Sequence, residues 1–166
     1  MLQRKVIELG GGQHPKLHPN VDCRNGEGVD IVADLEKSLP LPSNEYEYVY
    51  SAFAIEHLSW RAVKGFIAEI YRILKAGGQV MVIAPNLLEQ CRKIVCRPVD
   101  ENNNDWDENF SCMIFGDQNY SENTHKNGMS PRYAKKLFEE AGFAKVSVSP
   151  YPNCETDMVI LAIKGE

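Results

Sequence analysis

The 166-residue sequence has no apolar run approaching the roughly 18–20 residues that span a bilayer, so no membrane segment is expected. Met1 to Leu9 hold no long apolar stretch, and no secretory leader is expected there. Cysteine is sparse and unpatterned. Cys23, Cys91, Cys96, Cys112 and Cys154 are an odd set without a Cys-x-x-Cys, which excludes a disulfide framework and points to reduced thiols in a cytoplasmic protein. There is no internal repeat and no basic stripe that would neutralise a phosphate backbone, so a nucleic-acid partner is not expected. At 43% hydrophobic and 25% charged residues, the chain reads as one globular domain over 1–166.

Acid is concentrated in one place. Between Arg97 and Gly128 stand Asp100, Glu101, Asp105, Asp107, Glu108, Asp117 and Glu122 against Arg97 and Lys126 alone. That segment therefore accounts for the whole formal charge of −5, and a small cationic or neutral substrate is expected.

The hydrophobic pattern alternates between two periods. Arg4–Leu9 reads as a strand running into Gly10-Gly11-Gly12, and Asn20–Asp22, Gly28–Asp34 and Tyr46–Ala52 read as further strands. Val63, Phe66, Ile67, Ile70, Ile73 and Leu74 recur at helical spacing, which predicts a helix from a Ser59 cap to Lys75. Gln79–Ala84 is a near-continuous apolar run, as a strand buried on both faces requires. A helix is predicted from Leu87 to Val95, and another after Ser130-Pro131, ended by Gly142. Phe143–Ser149 and Met158–Lys164 close the chain as consecutive strands. Residues 97–129 show no usable periodicity and read as a long loop or insertion over the site. This order implies an open α/β sheet with its ligand at the carboxyl ends of the strands.

At those ends stand three acids, Glu8, Asp22 and Asp34. A glycine loop lets a ligand approach the backbone, and an acid ending the second strand can accept both hydrogen bonds of a ribose diol. The combination points to an adenosyl ligand. A dinucleotide dehydrogenase is disfavoured, because Pro15 stands where the third glycine would be and no helix follows to hold a pyrophosphate. His14, His18 and Cys23 could be read as zinc ligands, but Pro15 and Pro19 break the helix that would align them, and no metal is expected.

Several short segments, in order, resemble a compact class I S-adenosylmethionine (SAM) dependent methyltransferase. They are Glu8-Leu9-Gly10-Gly11-Gly12, Asn20-Val21-Asp22, Asp34-Leu35, Tyr48 to Ala52 with Ile55-Glu56-His57-Leu58, Leu74-Lys75-Ala76-Gly77-Gly78, and Ala141-Gly142-Phe143. The resemblance implies a Rossmann-like, mostly parallel sheet of seven strands or slightly fewer, with an antiparallel C-terminal edge strand. It implies that Gly10, Gly11 and Gly12 contact the methionyl and ribosyl parts of SAM and that Glu8 helps hold the ammonium. Asp22 would take the ribose hydroxyls, Asp34 the adenine amino group, Leu35 the ring face, and Ser51 and Ala52 would border the sulfonium. The usual first helix after Gly12 is absent or one turn long. His57, Asp117, Tyr120 and His125 are candidate bases for methyl transfer to a small-molecule acceptor. A SAM- or adenosyl-binding protein without turnover, acting as sensor or partner subunit, is the alternative.

Overall fold

The computed structural model describes residues 4–96 and 106–166. In chain order it contains β1 (Val6–Leu9), β2 (Asn20–Asp22), β3 (Ile31–Val32), β4 (Tyr46–Ala52), a 3₁₀ turn (Ile55–His57) and α1 (Val63–Ile73). Then come β5 (Leu74–Pro85), α2 (Leu87–Cys96), α3 (Trp106–Phe115), α4 (Pro131–Glu140), β6 (Phe143–Tyr151) and β7 (Cys154–Lys164). The strands form one sheet in the order β3-β2-β1-β4-β5-β7-β6. Pairing is parallel from β3 to β5, and β7 runs antiparallel to both neighbours. The antiparallel strand expected at the C-terminal end is thus present, but it inserts between β5 and β6, and β6 forms the edge.

Pleating assigns the faces. Val49, Val80, Val82 and Ile160 point to the main core with Ile7, Leu9 and Val21. Against them α1 lays Phe66, Ile67, Ile70 and Ile73, the stripe that the sequence pattern marks, and α4 lays Ala134, Leu137 and Phe138, with Ala134 in place of an exposed Tyr133. Burying each of the larger side chains contributes about 1.5–3 kcal/mol. The opposite face carries a smaller cluster of Tyr50, Ile83 and Val159, with Leu17, Tyr48 and Met81 packed beside it. No helix among the described residues follows β1 to cover that side.

Local chemistry fixes the ends. The Ser130 side chain accepts from the Tyr133 backbone N–H, so α4 has the cap and first-position proline that the sequence promises. Ser59 instead starts a turn, its carbonyl accepting from Ala62 and Val63, and α1 begins only at Val63. Its last residue is Ile73, because Leu74 already pairs with Tyr46; Lys75 to Gly78 then bulge before Gln79 pairs with Tyr48. β3 is reduced to two residues.

The helix α3 corrects the reading of 97–129 as loop throughout. Phe110, Met113 and Ile114 have helical spacing, but Cys112 and an exposed Phe115 fall off that stripe and blur its period. Residues 97–105 of that segment, with Asp100, Glu101 and Asp105, lie outside the described residues. No helix in the described residues is long and apolar enough to cross a membrane.

Candidate functional site

The chain between β1 and β2 has to be held without a helix, and four strand-end side chains do it. Buried Glu8 accepts from the Lys16 and Leu17 backbone N–H groups at 2.6 and 2.7 Å. Asn20, fully buried, accepts from Gly11 N–H at 3.0 Å and donates to the carbonyls of Gly12 and Gly28, both at 2.9 Å. Asp22 accepts from Gly12 N–H and Arg24 N–H, both at 3.0 Å, one on each carboxylate oxygen. Asp30 accepts from the Asn20 N–H at 2.7 Å. These bonds satisfy backbone groups that an irregular buried turn would otherwise leave unpaired. Asn20→Ala is expected to lower the unfolding free energy by about 2 kcal/mol, since it orphans three backbone groups of partly exposed glycines. The shift in urea midpoint at constant slope measures it.

Gly10 turns the chain out of β1 at φ +79°, donating to the Val21 carbonyl at 2.7 Å. A Cβ there would stand 2.4 Å from the Ala54 Cβ, so the turn and the end of β4 close together only around glycine. Gly12, at φ +59°, has nothing within 4 Å of such an atom.

Beyond the carboxyl ends of β1, β2 and β4 opens a cavity of about 540 Å³. Its floor is Gly10, Gly11 and Gly12, with Asp22, Cys23 and Arg24 on one side and Asp34, Leu35 and Glu36 on another. Phe53, Ala54, His57 and Leu58 come from the end of β4, and Tyr120, Glu122 and Lys126 from the segment before α4. The Arg24 guanidinium lies 4.0 Å from the Tyr120 ring centroid, joining the β2 side to that segment. Asp34 accepts from the Glu36 N–H at 2.9 Å, a bond that, with the Lys37 ammonium, holds its carboxyl below the usual range.

Of the residues expected to hold a ligand, the fold brings Gly10, Gly11, Gly12, Asp22, Asp34 and Leu35 to this wall, together with His57 and Tyr120. It does not bring Glu8, Ser51 or Ala52 there. The Glu8 carboxylate is spent on the loop beneath, and Ser51 is completely buried with its hydroxyl unpartnered among the described residues. The chain leaves β4 through Phe53, at φ +52°, and it is Phe53 and Ala54 that line the cavity there. Asp117 is exposed and His125 half-buried, and neither borders the cavity. Sequence reasoning does not single out Asn20, Arg24 or Glu36. Asn20 carries a local signal, an amide two residues before the strand-end acid and facing three glycines, whereas Arg24 acquires meaning only from Tyr120.

Behind His57 the segment after α3 docks on the 3₁₀ turn. Lys126 N–H and Asn127 N–H donate to the Glu56 carbonyl at 2.8 and 3.3 Å, and the Asn127 side-chain amide donates to the Ile55 and Leu58 carbonyls at 2.7 and 2.8 Å. The His57 and His125 rings meet edge to face at 5.0 Å. Burial lowers the pKa of both, against hydrogen bonds to the backbone of Thr124 and of Ile114 and Met113 respectively. Burial also pushes the Glu56 carboxyl up to about 8, and the nearby Asp157 adds to the rise.

Residues 14–82 match the family model of the methyltransferase domain. No curated protein sequence matches the chain. Among solved structures, a SAM-dependent methyltransferase of Archaeoglobus fulgidus superposes with a TM-score of 0.69 at 17% identity, over 97% of this chain and 86% of that one. A SAM-dependent methyltransferase of Thermotoga maritima gives 0.66 at 18% identity, over 99% and 84%. A chain from the complex of the Haloferax volcanii Trm112 methyltransferase activator with a methyltransferase gives 0.62 at 15%, over 100% and 86%. The open seven-stranded sheet with its inserted antiparallel strand is the methyltransferase fold. Residues 14–82 thus carry the sequence pattern of a methyltransferase domain, and the fold is that of the solved SAM-dependent methyltransferases.

Proposed function

We propose that the cavity over Gly10–Gly12 holds SAM and that the enzyme methylates a small molecule. The observation that carries the reading is the convergence of a glycine turn, the Asp22 carboxylate and the Asp34-Leu35 pair on one wall at the ends of adjacent parallel strands. SAM, when bound, supplies an electrophilic methyl group on a sulfonium. The residues present fit it. Gly10 leaves backbone bare where a Cβ would collide, and Asp22 keeps a lone pair on Oδ2 beyond the Gly12 N–H, while its Oδ1 accepts from the Arg24 N–H and, weakly, from the Cys23 thiol at 3.7 Å. In this reading Asp22 holds the ribose hydroxyls, Asp34 accepts from the adenine amino group and Leu35 lies against the ring. Phe53 and Ala54, rather than Ser51 and Ala52, border the methyl-bearing end.

For an in-line displacement the protein has to align the acceptor, exclude water and sometimes take one proton. Phe53, His57, Tyr120 and Lys126 wall the acceptor side, and of the four candidate bases His57 and Tyr120 reach it. The absence of a basic stripe in the sequence and the acid-rich composition of 97–128, from which Glu122 lines the cavity, support a small cationic or neutral acceptor over a nucleic acid. Five cysteines outside any disulfide support a reducing, cytoplasmic setting. The chain then works as one domain, 1–166, with Tyr120, Glu122 and Lys126 on the acceptor side.

Calorimetry with SAM and with S-adenosylhomocysteine is expected to give saturable binding of both below millimolar concentration. Release of S-adenosylhomocysteine during a screen of small O- and N-acceptors is expected to follow. Binding without turnover on any acceptor would favour a sensor or partner subunit, and no binding of either compound would end the reading.

A further inference from the structure

A carboxyl group deep in a protein is expected to have partners, and Glu56 falls short. It is 3% exposed, and its Oε2 has no hydrogen-bond partner among the described residues. Around it stand two imidazoles. Glu56, His57 and His125 each bring one ligand-type atom within 4.8 Å of the others.

The cluster is held by the backbone. Four hydrogen bonds from Lys126 and Asn127 fasten the His125 segment to the 3₁₀ turn that carries Glu56 and His57. The His57 Nδ1 lies 3.3 Å from the Thr124 carbonyl oxygen, a contact of the kind that orients a ligating ring and frees its other nitrogen. Asp157 lies close enough to Glu56 for its charge to be felt there, while the Lys126 ammonium is drawn toward Glu36, 3.8 Å away. Two nitrogens and one carboxylate, without a thiolate, suit a first-row divalent transition ion better than calcium or magnesium, which take mostly oxygen. Three protein ligands also leave coordination positions open, as reactive sites do and closed structural sites do not.

We infer that Glu56, His57 and His125 form a binding site for one divalent transition-metal ion. Because His57 also borders the cavity, the ion would stand beside the acceptor side. That placement rests on the proposed function; metal binding itself does not, and its test contains no SAM.

Full-length protein, stripped with chelator and dialysed, is titrated with zinc chloride in a calorimeter. One equivalent should bind, at least tenfold more weakly after Glu56→Gln or His125→Asn and unchanged after His18→Asn. Cobalt(II) in place of zinc should give visible bands without a strong thiolate charge-transfer band, excluding the cysteines as ligands. Should either variant fail to fold, NMR of the unsubstituted chain decides. Zinc should shift the ring signals of His57 and His125 among the four histidines. Absence of saturable binding, affinity within threefold of the parent in both folded variants, a thiolate band, or shifts confined to His14 and His18 would each overturn the site.

Discussion

Gly10→Ala is expected to remove SAM binding from calorimetric range, a loss of at least about 100-fold, or ~2.7 kcal/mol. Two costs add at this position. An L-residue at φ +79° is disfavoured by about 1–2 kcal/mol, and the new methyl would meet the Ala54 Cβ at 2.4 Å, where no flexible chain end can yield. Relief comes only by parting the end of β1 from the end of β4, which widens the floor of the cavity. Gly12→Ala is the matched control: it carries the conformational cost at φ +59° but meets nothing. Its affinity should fall by no more than about tenfold. Near-equal binding by the Gly10 variant and the parent would mean that the turn is not a ligand wall.

The second large effect belongs to Asp22. Asp22→Ala should weaken SAM by about 1–3 kcal/mol, the cost of leaving two hydroxyls without acceptors. Because Asp22 also secures Gly12 and Arg24, lost affinity alone does not separate grip from loop order. A double-mutant cycle does. Measured with S-adenosylhomocysteine and with its 2′-deoxy analogue, the penalty for Asp22→Ala should shrink when the hydroxyl is missing. An equal penalty for both ligands would place Asp22 in loop order only.

What the sequence reveals here follows the range over which each signal acts. The stripes of α1 and α4, the cap at Ser130 and the glycine turn after β1 are set by residues a few positions apart, and they are legible. The position of β7 is not, because nothing in Cys154–Lys164 says whether it pairs on one side or two. That Phe53 and Ala54 rather than Ser51 and Ala52 line the cavity is not legible for a similar reason: the strand runs on with a buried serine, and the chain leaves it only where Phe53 takes a positive φ. α3 is hidden by apolar residues that do not share one stripe. The meeting of His57 with His125 spans 68 positions and depends on Asn127 bridging Ile55 and Leu58, a contact that no local pattern encodes.

The seating of β7 also has a bearing on how the chain is made. Every other strand is synthesised before it, yet it bonds to both β5 and β6. Until it emerges from the ribosome, Val80 to Ala84 present an open, apolar ladder to whatever is nearby. A nascent chain arrested ahead of Cys154 would therefore be a species for chaperones to hold, and the last strand to leave the tunnel locks the interior rather than trimming its rim.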